Sequence, residues 1–544
     1  MAIRKIKIEN FKKFEIFELE FTDGLNILVG DNEVGKSTIL EAIHLVLTGM
    51  INGKYLNTEL TQYLFNNKAV ERYIADPKSI LPPKINIELY FSDSVDSLFM
   101  GGINSDRNNT ARGIEFSIEL EENDEYRELL KNEKIKTLPI EYYEYKWRTF
   151  ADKIITTRSI SVKSAMIDSS LAKYQNGSDI YISRIIRQIL EDSEKVKIAQ
   201  AHRSAIDTFG NEPSVIDINK KISDKAKLSG KKITITAERL SKNAWENSLI
   251  TCVDKIPFHY IGKGEQCVIK TKLALNDKKS IDASIILMEE PENHLTHTRL
   301  NQLLDVIQDS CKGQQIIIST HSSFVANKLG LENLILLGQN GDTSSFQNLS
   351  DDTANYFKKL SGYNTLRLVL SKASLLVEGP SDELVVQKAY LNSKNTLPIH
   401  DGIDVIDVGG LTFKRYLEIA SLVDKRIAVI TDNDGDVAAL EEKYSAYLGE
   451  NEIDSILISY DKENHTPSND LLSNYNYNTL ENLMLLSNGR TNLNKILKKK
   501  YKTDDELRIY MKSNKTDCAL SIFEHDDVIK FPKYIEEAVG HVTK

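Results

Sequence analysis

The chain has 544 residues, and 69 Lys and Arg against 79 Asp and Glu leave a net charge of −10. On charge alone it does not look like a nucleic-acid-binding protein, and 41% hydrophobic with 27% charged residues excludes a wholly disordered chain. No apolar run approaches the ~20 residues of a membrane-spanning helix, the four cysteines form no CxxC pair, and the start lacks a signal peptide's apolar core. A soluble cytoplasmic protein of several domains, not bound to membrane, is expected.

Ile3 to Glu9 and Glu15 to Phe21 alternate with period two, and Leu25 to Val29 is apolar throughout, as in a strand buried on both faces. A Gly-rich turn then gives way to a helical stretch, Ser37 to Leu47. Ile85 to Phe91 and Ile114 to Leu120 are further strands. The stretch from about 121 to 245 is rich in Lys, Glu, Tyr and Ser, with helical patterns such as Ile180 to Leu190 but no chemical motif. Strand-then-helix units return at Ile285 to Met288 and Ile316 to Ser319. They recur from Ser374 to Val377, Ile403 to Val408 and Arg426 to Ile430. Such alternation predicts an α/β fold with mainly parallel sheets flanked by helices.

Two sets of residues carry chemistry. Gly30-Asp31-Asn32-Glu33-Val34-Gly35-Lys36-Ser37 fits G-x-x-x-x-G-K-[ST], preceded by a strand and opening a helix. Its backbone N–H groups, with Gly30, Asn32, Gly35 and Thr38, would cradle the phosphates of ATP; Lys36 would reach the β/γ-phosphates and Ser37 would hold Mg²⁺. The second half of an ATP site follows at the end of the strand Ile285 to Met288, in Glu289-Glu290-Pro291-Glu292. One carboxylate there, Glu289, orients the Mg²⁺ shell and the next, Glu290, polarises the attacking water. His321, after the strand ending Ser319-Thr320, is placed to contact the γ-phosphate.

This set resembles the ABC-type ATPases of the chromosome-maintenance and recombination-repair group. On that resemblance Gly262, Lys263 and Gly264, within Ile261-Gly262-Lys263-Gly264-Glu265-Gln266, form the signature loop that reaches the γ-phosphate across a dimer interface. Gly262 stands where that group has serine, and Glu289 where it has aspartate. The resemblance therefore implies ATP binding more firmly than fast turnover. No Q-loop glutamine is evident; Gln62 is available but unplaced. In that group the position of residues 151–245 holds a coiled coil or dimerisation arm. Sustained heptads are absent here, so a compact helical dimerisation module is expected.

The third block carries the second set. Leu375-Leu376-Val377 ends in Glu378-Gly379-Pro380-Ser381-Asp382, and Ile427 to Ile430 ends in Thr431-Asp432-Asn433-Asp434-Gly435-Asp436. Parallel strands would bring Glu378, Asp432 and Asp434 to one sheet edge. Three carboxylates so close repel one another unless a divalent cation intervenes, and oxygen ligands favour Mg²⁺ or Mn²⁺. An Asp-x-Asp-Gly alone is commonly a polar turn; its pairing with a strand-end Glu-Gly is what points to a metal.

This block resembles the Toprim fold of topoisomerases, primases and small nucleases. ATPase plus Toprim together resemble the overcoming-lysogenization-defect (OLD) nucleases, which include the Gabija defence nuclease and retron-associated effectors. That resemblance covers residues 1 to about 525. It implies that Asp382 and Glu481, in Thr479-Leu480-Glu481, hold a second metal and that Lys515 is the catalytic lysine, with Lys512 as its rival. It further implies a metal-dependent DNA endonuclease or nickase, gated by nucleotide and acting against bacteriophage. The implied assembly is a homodimer or higher homo-oligomer, with a helicase-like protein or a retron reverse transcriptase and its RNA as defence partner. A non-nuclease DNA-maintenance ATPase and a ribonuclease acting on tRNA are the alternatives.

The domains expected are an ATPase N-terminal lobe at 1–150, a helical insertion at 151–245, an ATPase C-terminal lobe at 246–350, a Toprim domain at 370–525 and a tail at 526–544. Two basic runs offer a path for DNA. One is Lys220, Lys221, Lys225, Lys227, Lys231, Lys232, Arg239 and Lys242; the other is Arg490, Lys495, Lys498, Lys499, Lys500 and Lys502, which contains no acid. The acidic sum thus conceals local basic surface, and nine acids, Glu292 and Asp436 among them, are expected at nucleotide or metal sites.

Overall fold

The computed structural model describes residues 2–132, 135–168, 174–175, 178–179, 190–226, 233–235, 250–276, 284–293, 295–310, 314–339, 341–360, 362, 364–410, 412–423, 425–466, 472 and 475–544. The chain divides into two compact units, Met1–Thr320 with Gln339–Gly341, and His321–Gly338 with Asp342–Lys544. No helix among the described residues is long and apolar enough to cross a membrane.

The first unit is built on two large sheets, beside three two-stranded ones among the described residues. The antiparallel one starts from β1 (Ile3–Phe11) and β2 (Phe14–Glu20). Ile6 and Ile8 are buried while Lys5, Lys7 and Glu9 are not, which is why a period-two pattern settles here as a half-covered strand, and Phe11 is buried past the left-handed Asn10. The other sheet is parallel and begins with β3 (Leu25–Gly30), whose residues Ile27, Leu28 and Val29 are fully buried. The helix α1 (Lys36–Thr48) leaves it directly. The antiparallel sheet then takes β4 (Ile85–Phe91), β5 (Gly113–Leu120), β6 (Tyr143–Thr149) and β7 (Ile154–Ile155), in the order β2-β1-β4-β5-β6-β7.

Next in the chain, β8 (Ser164–Asp168) joins the parallel sheet. The helices α2 (Asp192–Asn211) and α3 (Pro213–Ala226) follow, inside the stretch expected to be a helical insertion. The expected helix Ile180 to Leu190 lies outside the described residues except for Leu190, as do Lys227, Lys231, Lys232, Arg239 and Lys242 of the first basic run. The helix α4 (Lys263–Asn276) precedes β9 (Ile285–Glu289) and β10 (Gln315–Ser319). The parallel strands run β8-β9-β10-β3, with Asp168 opposite Glu289, Glu289 opposite Ser319, and Ser319 opposite Leu28. This register puts the Walker A turn and the Glu289-Glu290 pair at the same sheet edge, one strand apart.

The second unit is built on a four-stranded parallel sheet. Its elements are β11 (Ala373–Val377), α5 (Pro380–Lys394), β12 (Ile403–Asp407), α6 (Phe413–Ser421), β13 (Arg426–Ile430), α7 (Val437–Lys443) and β14 (Ile456–Ser459). The strand order is β12-β11-β13-β14. Then come α8 (Leu480–Ile496), α9 (Asp504–Ser513), α10 (Lys515–Phe523) and α11 (Lys533–Val542). Residues 526–544, expected as a tail, contain α11, which packs on β11, β13 and β14 and buries Ile535, Ala538, Val539 and Val542. The apolar face of this last helix is part of the core of the second unit.

Candidate nucleotide site and carboxylate centre

At the nucleotide motif, β3 ends at Gly30 and α1 starts at Lys36, so the intervening turn has five residues in which to reverse. Gly35 makes the turn, with φ of 108°, and the Phe14 ring lies where a side chain would project. Only glycine meets both demands. Lys36 is buried, and its Nζ donates to the carbonyls of Gly30 and Asp31, each at 2.8 Å. Burial pulls the ammonium below its ordinary range, against the pull of Glu290, Asp31, Glu289 and Glu292, which favour the charge.

Ser37 donates its hydroxyl to Glu289 Oε1, joining the two residues expected to share the Mg²⁺ shell. Glu290 lies just past β9, in the left-handed region at φ 42°. Its N–H is bonded to Ser319 O at 2.9 Å, and Asn293 Nδ2 donates to its Oε2 at 2.8 Å. Glu292 Oε1 accepts from Thr320 at 2.6 Å. Asn32 is exposed and Thr38 half-buried at the opening of α1.

Gly262 lies just before α4, with Lys263 and Gly264 in its first turn. Gln266 folds back to donate to Ile261 O at 2.9 Å, which holds the loop against its helix. Nothing lies within 4 Å of the position a Gly262 side chain would take. His321 is exposed and opens the second unit. Gln62 is not at the nucleotide turn; its Oε1 accepts from Leu138 N at 3.2 Å.

In the second unit, Glu378 follows β11 directly, Asp382 lies in the first turn of α5, Asp432 is two residues past β13, and Glu481 lies in the first turn of α8. Thr431 donates its hydroxyl to Glu378 Oε1 at 2.6 Å, and Asp432 N reaches the same oxygen at 3.3 Å. Leu480 N donates to Asp432 Oδ2 at 3.2 Å, tying the start of α8 to the β13 loop. Lys515, first residue of α10, forms an ion pair with Glu481 at 2.8 Å.

The electrostatics show that these groups converge. Burial, then Glu378 and Glu481, push the Asp382 carboxyl up to about 7, with Lys515 opposing. Burial, then Asp382, Glu378 and Glu481, hold the Asp432 carboxyl well above its usual range. Glu481, Asp432 and Asp382 thus act on Lys515, while Glu378 and Asp434 act on Lys443. Asp434 takes a different place: it is exposed, at φ 52°, and accepts from Asn476 Nδ2 at 2.8 Å. Asp436, expected among the site acids, instead caps α7, its Oδ1 accepting from Ala439 N at 3.0 Å. A side-chain oxygen at a helix start is most readily used by the unpaired N–H groups there. Lys512 stands 5.5 Å from the Tyr475 ring centroid, while Lys515 is the lysine that reaches the acids.

Among the described residues no group of three or more His, Cys, Asp or Glu is already drawn in to the spacing that holds a metal ion. The donor set itself fits a hard divalent cation: all oxygen, excess negative charge, and two carboxyls pushed up by burial and by their acidic neighbours. Thr431 was not foreseen from sequence, although its place between a strand end and Asp432 is the available signal. Asn476 and Leu480 N carry no signal at all.

Residues 1–326 match the AAA ATPase domain family, and residues 369–434 match the Toprim domain of overcoming-lysogenization-defect-like proteins. The chain belongs to that ATPase family. Together the two matches support an OLD-type protein, an ATPase head followed by a Toprim domain. Among curated relatives, the DNA replication and repair protein RecF of Clostridium novyi (strain NT) is 31% identical over 90 residues, 16% of this chain and 24% of RecF. The DNA double-strand break repair Rad50 ATPase of Methanopyrus kandleri is 51% identical over 45 residues, 8% of this chain and 5% of Rad50. The chain thus spans about a quarter or less of the length of these relatives. Among solved structures, an SMC head bound to the C-winged helix domain of ScpA aligns over 64% of this chain and 100% of its own, at 16% identity and TM-score 0.35. The recombination mediator protein RecF with ATP aligns over 63% of this chain and 97% of its own, at 14% identity and TM-score 0.34.

Proposed function

We propose that this protein is a nucleotide-regulated, divalent-metal-dependent DNA endonuclease or nickase. The observation that carries the reading is the gathering of Glu378, Asp382, Asp432 and Glu481 beside Lys515, with two of the carboxyls raised by burial and by the neighbouring acids. Glu378, Asp382, Asp432 and Glu481 would hold Mg²⁺ or Mn²⁺, with Asp434 as a further ligand at the exposed side. A bound divalent ion supplies an activated water and neutralises charge on a phosphodiester. Lys515 stands beside these acids and would meet the charge that develops on the phosphate. Glu378, engaged by Thr431 and the Asp432 amide, keeps one oxygen fixed.

Lys36, Ser37 and Glu289 would hold ATP and its Mg²⁺, with Glu290 orienting water, His321 at the γ-phosphate and Gly262 to Gly264 completing the site from a second copy. Gly262 in place of serine and Glu289 in place of aspartate favour a nucleotide sensor over a fast ATPase. The helices α2 and α3 are the proposed dimerisation module. DNA would run along the exposed lysines Lys498, Lys500 and Lys502, next to the helices that carry Glu481 and Lys515. The resemblance to OLD nucleases extends the proposal to defence against bacteriophage, with a helicase-like or reverse-transcriptase partner.

The RecF and Rad50 matches favour a second reading, a DNA-maintenance ATPase with an inert Toprim domain. One assay separates them. Purified protein is incubated with supercoiled plasmid and Mg²⁺ or Mn²⁺, with and without ATP, beside Glu378→Ala. Metal-dependent nicking by the wild type alone supports the nuclease. No nicking under any condition, or equal nicking by the variant, removes it. Transfer RNA in place of plasmid tests the ribonuclease alternative.

A further inference from the structure

One polar cluster beside the carboxylate centre has no part in the reading above. Asp461 follows β14 by two residues, and its Oδ2 meets His465 Nε2 at 2.9 Å, with both side chains about 25% exposed. Asp461 Oδ1 accepts from Glu463 N at 3.0 Å, so both carboxylate oxygens are committed to holding this loop and its histidine.

Buried asparagines then tie the loop to the Asp432–Asp434 turn. Asn433 donates to the carbonyls of Asp461 at 2.6 Å and Glu463 at 3.0 Å, and its Oδ1 accepts from Gly435 N at 2.9 Å. His465 N donates to Asn478 Oδ1 at 2.6 Å, Asn478 N to Asn476 Oδ1 at 2.9 Å, and Asn476 Nδ2 to Asp434 Oδ1 at 2.8 Å. Asn433 and Asn478 are buried, and buried amides so fully engaged make a stiff link. His465 is thus fixed at its backbone by Asn478 and at its ring by Asp461, which takes Nε2 and leaves Nδ1 as the other ring nitrogen.

A histidine oriented through one nitrogen by a carboxylate presents the other for proton transfer. Its place also fits. Lys515 acts on Glu481, Asp432 and Asp382. His465 is linked instead, through Asn478 and Asn476, to Asp434. Departure of an alkoxide from phosphorus calls for a proton donor as well as a cation.

We propose that His465 is the proton donor to the leaving sugar oxygen, with Asp461 as its positioning residue. The proposal rests on the phosphodiesterase reading. A water oxygen bonds to phosphorus, the bond from phosphorus to the leaving oxygen breaks, and Nδ1–H of the imidazolium passes to that oxygen. The attacking water's proton leaves to solvent, and the neutral imidazole regains one from there.

The test compares an all-oxygen duplex with one carrying sulfur at the leaving position, because a thiolate departs without a proton. His465→Ala is expected to slow cleavage of the all-oxygen duplex by about 100-fold or more and to cut the sulfur duplex within a few-fold of wild type. Asp461→Asn should show a smaller loss with the same rescue. Mn²⁺ binding, followed by electron paramagnetic resonance, should be unchanged in both. Wild-type rates for His465→Ala on the all-oxygen duplex, or equal losses on both duplexes, overturn the proposal. A wild type inert on both duplexes sinks the endonuclease reading and takes this proposal with it, a failure visible before any variant is measured.

Discussion

At the Walker A turn, the buried Lys36 ammonium is met by two carbonyls and lies near four carboxylates, whereas in the second unit the acids crowd one another, with Lys515 beside three of them and Lys443 near Glu378. The first site has satisfied its charge from its own chain. The motif lysine occupies the phosphate cradle's own backbone, and Ser37 is bonded to Glu289. In the second site burial and then mutual repulsion push the Asp382 and Asp432 carboxyls up. The difference teaches what each site wants: phosphates that displace Lys36 from its carbonyls in one, a cation in the other.

If the contrast is right, damage to one site should spare the other. The largest effect is expected from Asp432→Asn, which should lower plasmid nicking by about 10³-fold or more while ATP binding, read by fluorescent-nucleotide titration, stays at the wild-type level. Loss of both activities would mean that the centre is a structural element. Lys36→Ala should weaken ATP binding about 10- to 100-fold, the worth of one to two charged hydrogen bonds. Mn²⁺ binding at the carboxylates should not change.

Gly35→Ala sharpens the comparison from the side of the fold. A methyl group there meets the Phe14 ring and the left-handed backbone together, so unfolding of the first unit should become easier by about 1–3 kcal/mol. The second unit should melt as before in a hydrogen-exchange experiment. Equal loss of protection in both units would contradict the division of labour.

The smallest effect is a pH dependence. The Asp382 carboxyl stands at about 7 against an ordinary 3.8, so between those values the folded chain holds a proton that the unfolded chain lacks. Its contribution to metal-free stability therefore falls as pH rises from about 4 through about 7. Asp382→Asn should flatten that slope in thermal melts without metal, and leave melts at pH 8 with saturating Mn²⁺ no higher than wild type.

How far these sites were legible in the sequence follows from how local their chemistry is. The Walker A turn is one contiguous stretch, and its strand and helix lie within one residue or so of expectation. Glu378 and Asp432 were legible because parallel strands bring their ends together whatever lies between them. The strand Tyr143–Thr149 lies in the Lys-, Glu-, Tyr- and Ser-rich stretch where only helical patterns are expected, although its buried Tyr143, Trp147 and Thr149 alternate with Glu144, Lys146 and Arg148. Ser164–Asp168 is a strand through its pairing with Ile285–Glu289, more than a hundred residues away. The same holds for α11 and for the asparagine links around Asp434. Their partners lie on other elements, and no spacing along the chain announces them.

The central claim is that the carboxylate centre is built to take a divalent cation. Titration of Mn²⁺ into the nucleotide-free protein, followed by electron paramagnetic resonance at pH 8, tests it directly. The wild type should take up Mn²⁺ at a site that disappears in the Asp382→Asn, Asp432→Asn double variant and persists in Lys36→Ala. Identical Mn²⁺ uptake by the wild type and the double variant would contradict the account.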